Sequence, residues 1–339
     1  MGISNKFNIS IGNLKRGKLN LITDVEGVKV GHSTIDNGII KTGVTAIFPH
    51  SGNIFKNKVV ASSSVINGFG KSIGLIQVEE LGTIETPILL TNTLAVGIAS
   101  HSLVKYMLKE NSDIGDTTGT VNPIVLECND GYLNNIRDIV IKEENVTEAL
   151  KCAKNRFREG SVGVGTGMSC YELKGGIGSS SRTIELDGEE YIIGTLVLSN
   201  CGLFRQLQIN GKNISENIEE NSDEMEKGSI IMIIATDIPL SERQLKRVAN
   251  RASVGLIRTG SFLGNGSGDI VLAFSTKNKI NHYEENDIIK LQKINENKID
   301  KIFQGVAESI EESIISSMIH SENTTGRDNN IRKSLKEYL

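Results

Sequence analysis

The chain is 339 residues long with 38% hydrophobic and 23% charged residues, enough apolar material for one large layered domain or about two smaller ones. Its formal net charge of -4 argues against a nucleic-acid partner, which needs a basic surface, and no stretch approaches the roughly 18 apolar residues of a membrane span. Thirty-five glycines against four prolines favour short strands joined by tight turns over a helix bundle.

The opening segment, MGISNKFNISIGNLKRG, has no continuous apolar core and so does not read as a signal peptide. Lys6 stands where a myristoylated Gly2 would be followed by Ser or Thr. Cys128, Cys152, Cys170 and Cys201 are widely spaced without a CxxC pair and read as reduced thiols. These features describe a cytoplasmic, soluble protein without metal or cofactor.

In chain order, residues 21–34 (LITDVEGVKVGHST) read as two short strands around a turn at Glu26-Gly27. Residues 43–50, 59–65 and 87–90 read as further strands, each ending in turn residues. Residues 94–108 carry Val96, Leu103, Val104, Met107 and Leu108 at helical spacing. A strand over 122–127 runs into CNDGYLNN, and a second helix is expected over 146–157, ended by Glu159-Gly160.

The glycine-rich text at 161–182 has neither GxxxxGK[ST] nor GxGxxG before a helix, so it predicts turns and close backbone approach around a pocket rather than a phosphate loop. A strong strand follows over 191–199. Ser241 and Gln244 make a capping box, and Leu245, Val248, Ala249, Ala252 and Leu256 form the stripe of one helix ended by Gly260. The basic group Lys246, Arg247, Arg251 and Arg258 reads as its solvated face. Residues 270–275 predict a buried strand, and 301–320 a helix with Phe303, Val306, Ile310, Ile314 and Met318 inward. The polar tail to Leu339 is expected on the surface. Strands and helices mix without regular βαβ alternation, which favours layered sheets flanked by helices.

One junction stands out. Residues 210–228 are polar and heavily charged, a solvated loop, whereas 230–235 (IIMIIA) have the length and character of a strand covered on both faces. Ser229 therefore stands at the head of an interior strand, behind Gly228, whose backbone is permissive. That is either an ordinary strand-entry serine or an N-terminal nucleophile released by cleavage at Gly228.

Neither GxSxG nor HExxH occurs, and His32, His50, His101, His282 and His320 are scattered, so a serine enzyme here must take its base from elsewhere. A free α-amine, with an ordinary pKa of about 7.7 to 8.0, is partly neutral near pH 7 and can accept a hydroxyl proton. Ser267-Gly268-Asp269, before the next buried strand, offers a serine two residues ahead of a carboxylate, an arrangement that can relay a hydrogen bond but is also common turn chemistry.

Together ITDVEGVKVGH, TGVTAIFP, LTNTLAVG, NDGYLN, GSVGVGTG, KGGIG, LSNCG, GSIIMIIATDIPL, RTG, SGDIVLAFST and TTGRD, in this order, resemble the self-processing L-aminopeptidase D-amidase/esterases and their β-aminopeptidase relatives. The resemblance implies a single α/β domain, a four-layer αββα sandwich of the N-terminal-nucleophile type, cut into residues 1–228 and 229–339. It implies Ser229 as nucleophile, Ser267 and Asp269 as its supporting pair, and Asn200 as the oxyanion donor. Glu127, Asn129 and Tyr132 fall where the family lines its pocket, with Glu127 holding the substrate ammonium; the other reading of Glu127 is a solvated strand end. The implied partners are small peptide, amide or ester substrates and a homo-oligomer, with no cofactor. Related acetyltransferases use threonine at the cleavage point, which Ser229 speaks against. An amide or oligomer hydrolase on the same fold, or an uncleaved binding protein, is the alternative.

Overall fold

A computed structural model describes residues 7, 9–215 and 228–339; residues 216–227, most of the expected polar loop, lie outside it. The main strands are β1 (Lys29–Asn37), β2 (Ile40–Phe48), β3 (Asn57–Gly68), β4 (Thr83–Ile84), β5 (Ile88–Asn92), β6 (Ile124–Cys128), β7 (Gly176–Leu186), β8 (Glu189–Asn200), β9 (Ser229–Thr236) and β10 (Gly268–Asn281). The helices are α1 (Leu75–Leu81), α2 (Val96–Glu110), α3 (Glu143–Lys151), α4 (Glu242–Ala249), α5 (Ala252–Arg258) and α6 (Asp300–Ile319).

A four-stranded sheet in the order β1-β2-β5-β6 packs on a six-stranded sheet in the order β4-β3-β10-β9-β8-β7. The apolar run of β9 shows why. Ile231, Ile233 and Ala235 point into the core between the sheets with Leu196, Leu198, Leu272 and Phe274. Ile230, Met232 and Ile234 point the other way, onto Leu245, Val248, Ile310 and Ile314 of the helices. A strand buried on both faces must be apolar at every position, and this one is. Helices α2 and α3 lie on the four-stranded sheet while α4 and α6 lie on the six-stranded one, completing the αββα sandwich. Among the described residues no helix is long and apolar enough to cross a membrane.

Several elements differ from expectation. Residues Ile22–Asp24 form a 3-10 turn rather than a strand, because the Asp24 carboxylate accepts the N–H groups of Leu19 and Leu21. Helix α3 stops at Lys151, six residues early: Val30 and Lys154 exchange backbone hydrogen bonds of 3.1 and 3.0 Å, drawing the chain onto the edge of β1. The expected long helix after Ser241 is two helices broken at Asn250 and Arg251, whose common apolar stripe faces one core.

Strand β7, GIGSSSRTIEL, went unforeseen because its buried side chains are mostly hydroxyls and one arginine. Arg182 is fully buried and pairs with Glu308 at 3.2 Å and Glu312 at 2.7 Å on α6. Gly178 lets that helix in, since a Cβ there would lie 1.9 Å from the Ser313 carbonyl oxygen. Phe303 is only half-buried, beneath the guanidinium groups of Arg247 and Arg251, while Lys246, Arg247 and Arg258 pair with Glu79, Glu296 and Glu311. The tail is not wholly superficial: Leu335 is buried and Tyr338 packs edge-on against Phe204.

Candidate active site

The ends of four strands meet at the Gly228-Ser229 junction. Register places Ser229, the first residue of β9, opposite Asn200, the last of β8, on one side and opposite Gly268, the first of β10, on the other. The end of β6 supplies Glu127 and leads into Asn129.

Ser229 is 8% exposed; its hydroxyl donates to the Gly228 carbonyl at 2.8 Å and accepts the Gly268 N–H at 3.2 Å. Gly228 is required for a different reason from the one expected. It does not use a left-handed backbone; instead a Cβ would lie 2.4 Å from the Asn200 carbonyl oxygen and 2.5 Å from Cys201 Cα. The glycine lets the Gly228-Ser229 peptide press against the end of β8.

Ser267 and Asp269 are buried in the turn that opens β10. The Ser267 hydroxyl donates to Asp269 Oδ1 at 2.5 Å, and Asn67 Nδ2 donates to Oδ2 at 2.9 Å. Burial pushes the Asp269 carboxyl above the ordinary carboxylate range, and these two donors pull it partly back. The Ser229 hydroxyl meets this turn at the Gly268 N–H, between the two side chains.

Asn200 is clamped at both ends of its carboxamide. The Ser169 N–H donates to Oδ1 at 2.8 Å, and Nδ2 donates to the Asn129 carbonyl at 3.0 Å. A backbone N–H can only donate and a carbonyl only accept, so the amide has one orientation. One Nδ2 hydrogen is committed to Asn129, and the second has no partner among the described residues.

A cleft of about 450 Å³ opens over this point, lined by Gly228, Asn200, Asn129, Tyr132, Ser169 and Glu172 among others. Tyr132 is 40% exposed with the Arg332 guanidinium 3.7 Å above its ring. The Asn129 side chain is turned to local use, accepting the Gly131 N–H at 2.8 Å, so it is the Asn129 backbone that faces Asn200. Glu127 is not among the residues lining this cleft, nor is it a solvated strand end. It is 4% exposed, and its carboxylate accepts the Lys71 N–H at 2.7 Å and the Thr93 hydroxyl. It lies on the far side of the junction, where a Cβ on Gly70 would come 3.4 Å from Glu127 Oε1 and 3.9 Å from Gly268 Cα.

The histidines are held elsewhere. His32 bonds Thr45 and the Arg158 carbonyl, and burial drops its pKa to about 4. Among the described residues no group of three His, Cys, Asp or Glu could hold a metal ion. Sequence reasoning missed Asn67, Lys71, Thr93, Ser169 and Arg332, all brought to the site across long chain separations. Only the Asn-Gly turn signal at Asn67 hinted at any of them.

The description Peptidase family S58 matches residues 20–332. The Beta-peptidyl aminopeptidase BapA of Sphingosinicella microcystinivorans is 33% identical over 338 residues, covering 92% of this chain and 84% of that protein. A crystal structure of a protein from Pyrococcus horikoshii OT3 superposes with a TM-score of 0.94 at 52% identity, over 98% of this chain and 95% of that one. The L-aminopeptidase D-Ala-esterase/amidase of Ochrobactrum anthropi gives a TM-score of 0.91 at 33% identity over 97% of each chain. It is described as a prototype for the serine aminopeptidases and a new variant among the Ntn hydrolase fold. The chain belongs to peptidase family S58, as a serine aminopeptidase on the Ntn hydrolase fold.

Proposed function

We propose that the chain cuts itself between Gly228 and Ser229 and then releases N-terminal residues from short peptides, amides or esters through an acyl-enzyme on Ser229. The observation that carries this is the position of the Ser229 hydroxyl, 2.8 Å from the carbonyl oxygen of the residue before it, with Ser229 opposite Asn200, which together with Gly228 lines the cleft. In the uncut chain Ser229 Oγ attacks the Gly228 carbonyl carbon and the C–N bond breaks, giving a Gly228 ester on Oγ and a free Ser229 amine; water then hydrolyses the ester, freeing the Gly228 carboxylate and the Ser229 hydroxyl.

In turnover that amine, neutral in part near pH 7, takes the Ser229 hydroxyl proton as Oγ attacks the substrate carbonyl. The free Nδ2 hydrogen of Asn200 donates to the oxyanion, a contribution of about 10²- to 10³-fold for such a donor. The departing amine or alcohol takes the proton, and water hydrolyses the ester. Ser267 and Asp269, reached through Gly268, hold the hydroxyl and amine in place. Asn129 and Tyr132 shape the cleft wall. Glu127, across the junction, receives the substrate ammonium by a charge-assisted hydrogen bond.

Relatives named for β-peptides and for D-alanine esters put both substrate types in the first screen. The test is a pair of amino-acid anilides, free and N-acetylated. The free amine should react faster, and Glu127→Gln should narrow the gap; losing that pairing costs about 1 to 3 kcal/mol, or about 5- to 150-fold. Equal rates for free and acetylated substrates would contradict the aminopeptidase reading.

A further inference from the structure

Lys174, in the KGGIG stretch, plays no part in the chemistry above, yet it is fully buried. Its ammonium donates to three backbone carbonyls, Gly165 at 2.9 Å, Met168 at 2.9 Å and Gly175 at 2.8 Å, using all three of its hydrogens. Burial holds its pKa down at about 7.

A buried ammonium is an unfavourable way to fill space, and an apolar side chain of similar volume is often as stable or more so. What the lysine does is tie three points of one loop, residues 165–175, to a single atom. Ser169 lies inside that loop, directly after one of the tethered carbonyls. Its N–H is the donor that fixes Asn200 Oδ1. A second backbone bond, Gly175 N–H to the Met168 carbonyl at 3.0 Å, closes the same turn.

We infer that Lys174 is a positioning residue for Asn200: its three-way tether sets the Ser169 N–H, which orients the carboxamide so that the free Nδ2 hydrogen faces the cleft. The inference rests on the proposed role of Asn200 at the oxyanion. Displacements of about 1 Å at a reacting centre cost about 10²-fold in rate, so the tether matters more for turnover than for binding.

The experiment is a double-mutant cycle of Lys174→Met and Asn200→Ala, with kcat and KM taken per cut chain as counted by intact mass, and melting followed in parallel. Lys174→Met should lower kcat about tenfold or more with KM within about twofold, and adding it to Asn200→Ala should cost nothing further. Lys174→Gln, which keeps two donors, should recover part of the loss.

If Asn200→Ala is slow while Lys174→Met turns over at the wild-type rate, or if the two losses multiply, the tether is scaffolding and the inference is overturned while the oxyanion reading stands. If Asn200→Ala itself keeps full kcat, that reading falls and the inference with it. Recovery of both lysine variants only as unfolded protein would likewise reduce Lys174 to a scaffold role and overturn the inference.

Discussion

Two sets of buried hydroxyls sit on the same six-stranded sheet, and they are used in opposite ways. Between β7, β8 and α6, Ser180 bonds Ser309 at 2.7 Å, Thr195 bonds Ser309 at 2.8 Å and Ser313 at 2.7 Å, and Ser199 bonds Ser317 at 2.5 Å. Each hydroxyl there is paired with another, so the set closes on itself and holds helix to sheet. At the head of β9, Ser229 instead bonds its own preceding carbonyl and one backbone N–H, directly after Gly228, which lines a cleft. The serine proposed as nucleophile is the one whose hydroxyl has no side-chain partner among the described residues. Burial and hydrogen bonding alone do not distinguish the two sets.

Substitutions should separate the two regions. The largest effect is expected from Ser229→Ala, which should abolish both turnover and self-cleavage, leaving one intact chain that melts near the wild-type temperature. Next come Ser267→Ala and Asp269→Asn, each expected to lower kcat about 10²-fold with little change in melting. Equal rates in these variants and the wild type would make the turn merely structural.

Asp269 also predicts a pH dependence. Its ionised form accepts the Ser267 hydrogen, and burial raises its pKa above the ordinary 3.8, so kcat should fall on the acid side at a pH higher than an ordinary carboxylate would give. Asp269→Asn should lose that acid limb; an unchanged limb would assign it to another group.

The smallest effect is expected in the closed set. Ser309→Ala removes a hydroxyl shared by Ser180 and Thr195, and should cost about 1 kcal/mol, a fall in melting of about 2 °C, with kcat unchanged. A loss of kcat there would erase the contrast between the regions.

What the sequence disclosed follows the same division. The apolar run of β9 is legible because it must be buried on both faces, and its abrupt border with a polar loop marks Gly228 and Ser229. The α4–α5 break is hidden because the apolar stripe runs through it. Strand β7 is hidden because its partners on α6 are hydroxyls and carboxylates more than a hundred residues away. Asn67 and Ser169 reach Asp269 and Asn200 only through the folded sheets, whereas Lys174 is tied to carbonyls of its own loop, and its connection to Asn200 through Ser169 shows only once that loop is placed. Asn200 and Glu127 were reached through family resemblance, and their hydrogen-bond partners could not be.

The central claim is that the peptide before Ser229 is the protein's first substrate. Intact mass and N-terminal sequencing of the purified protein test it directly. The account predicts two associated pieces, the smaller being the 111 residues 229–339 and beginning Ser-Ile-Ile-Met, with Ser229→Ala remaining whole. A fully active wild-type protein that stays a single chain would contradict both the cleavage and the mechanism built on it.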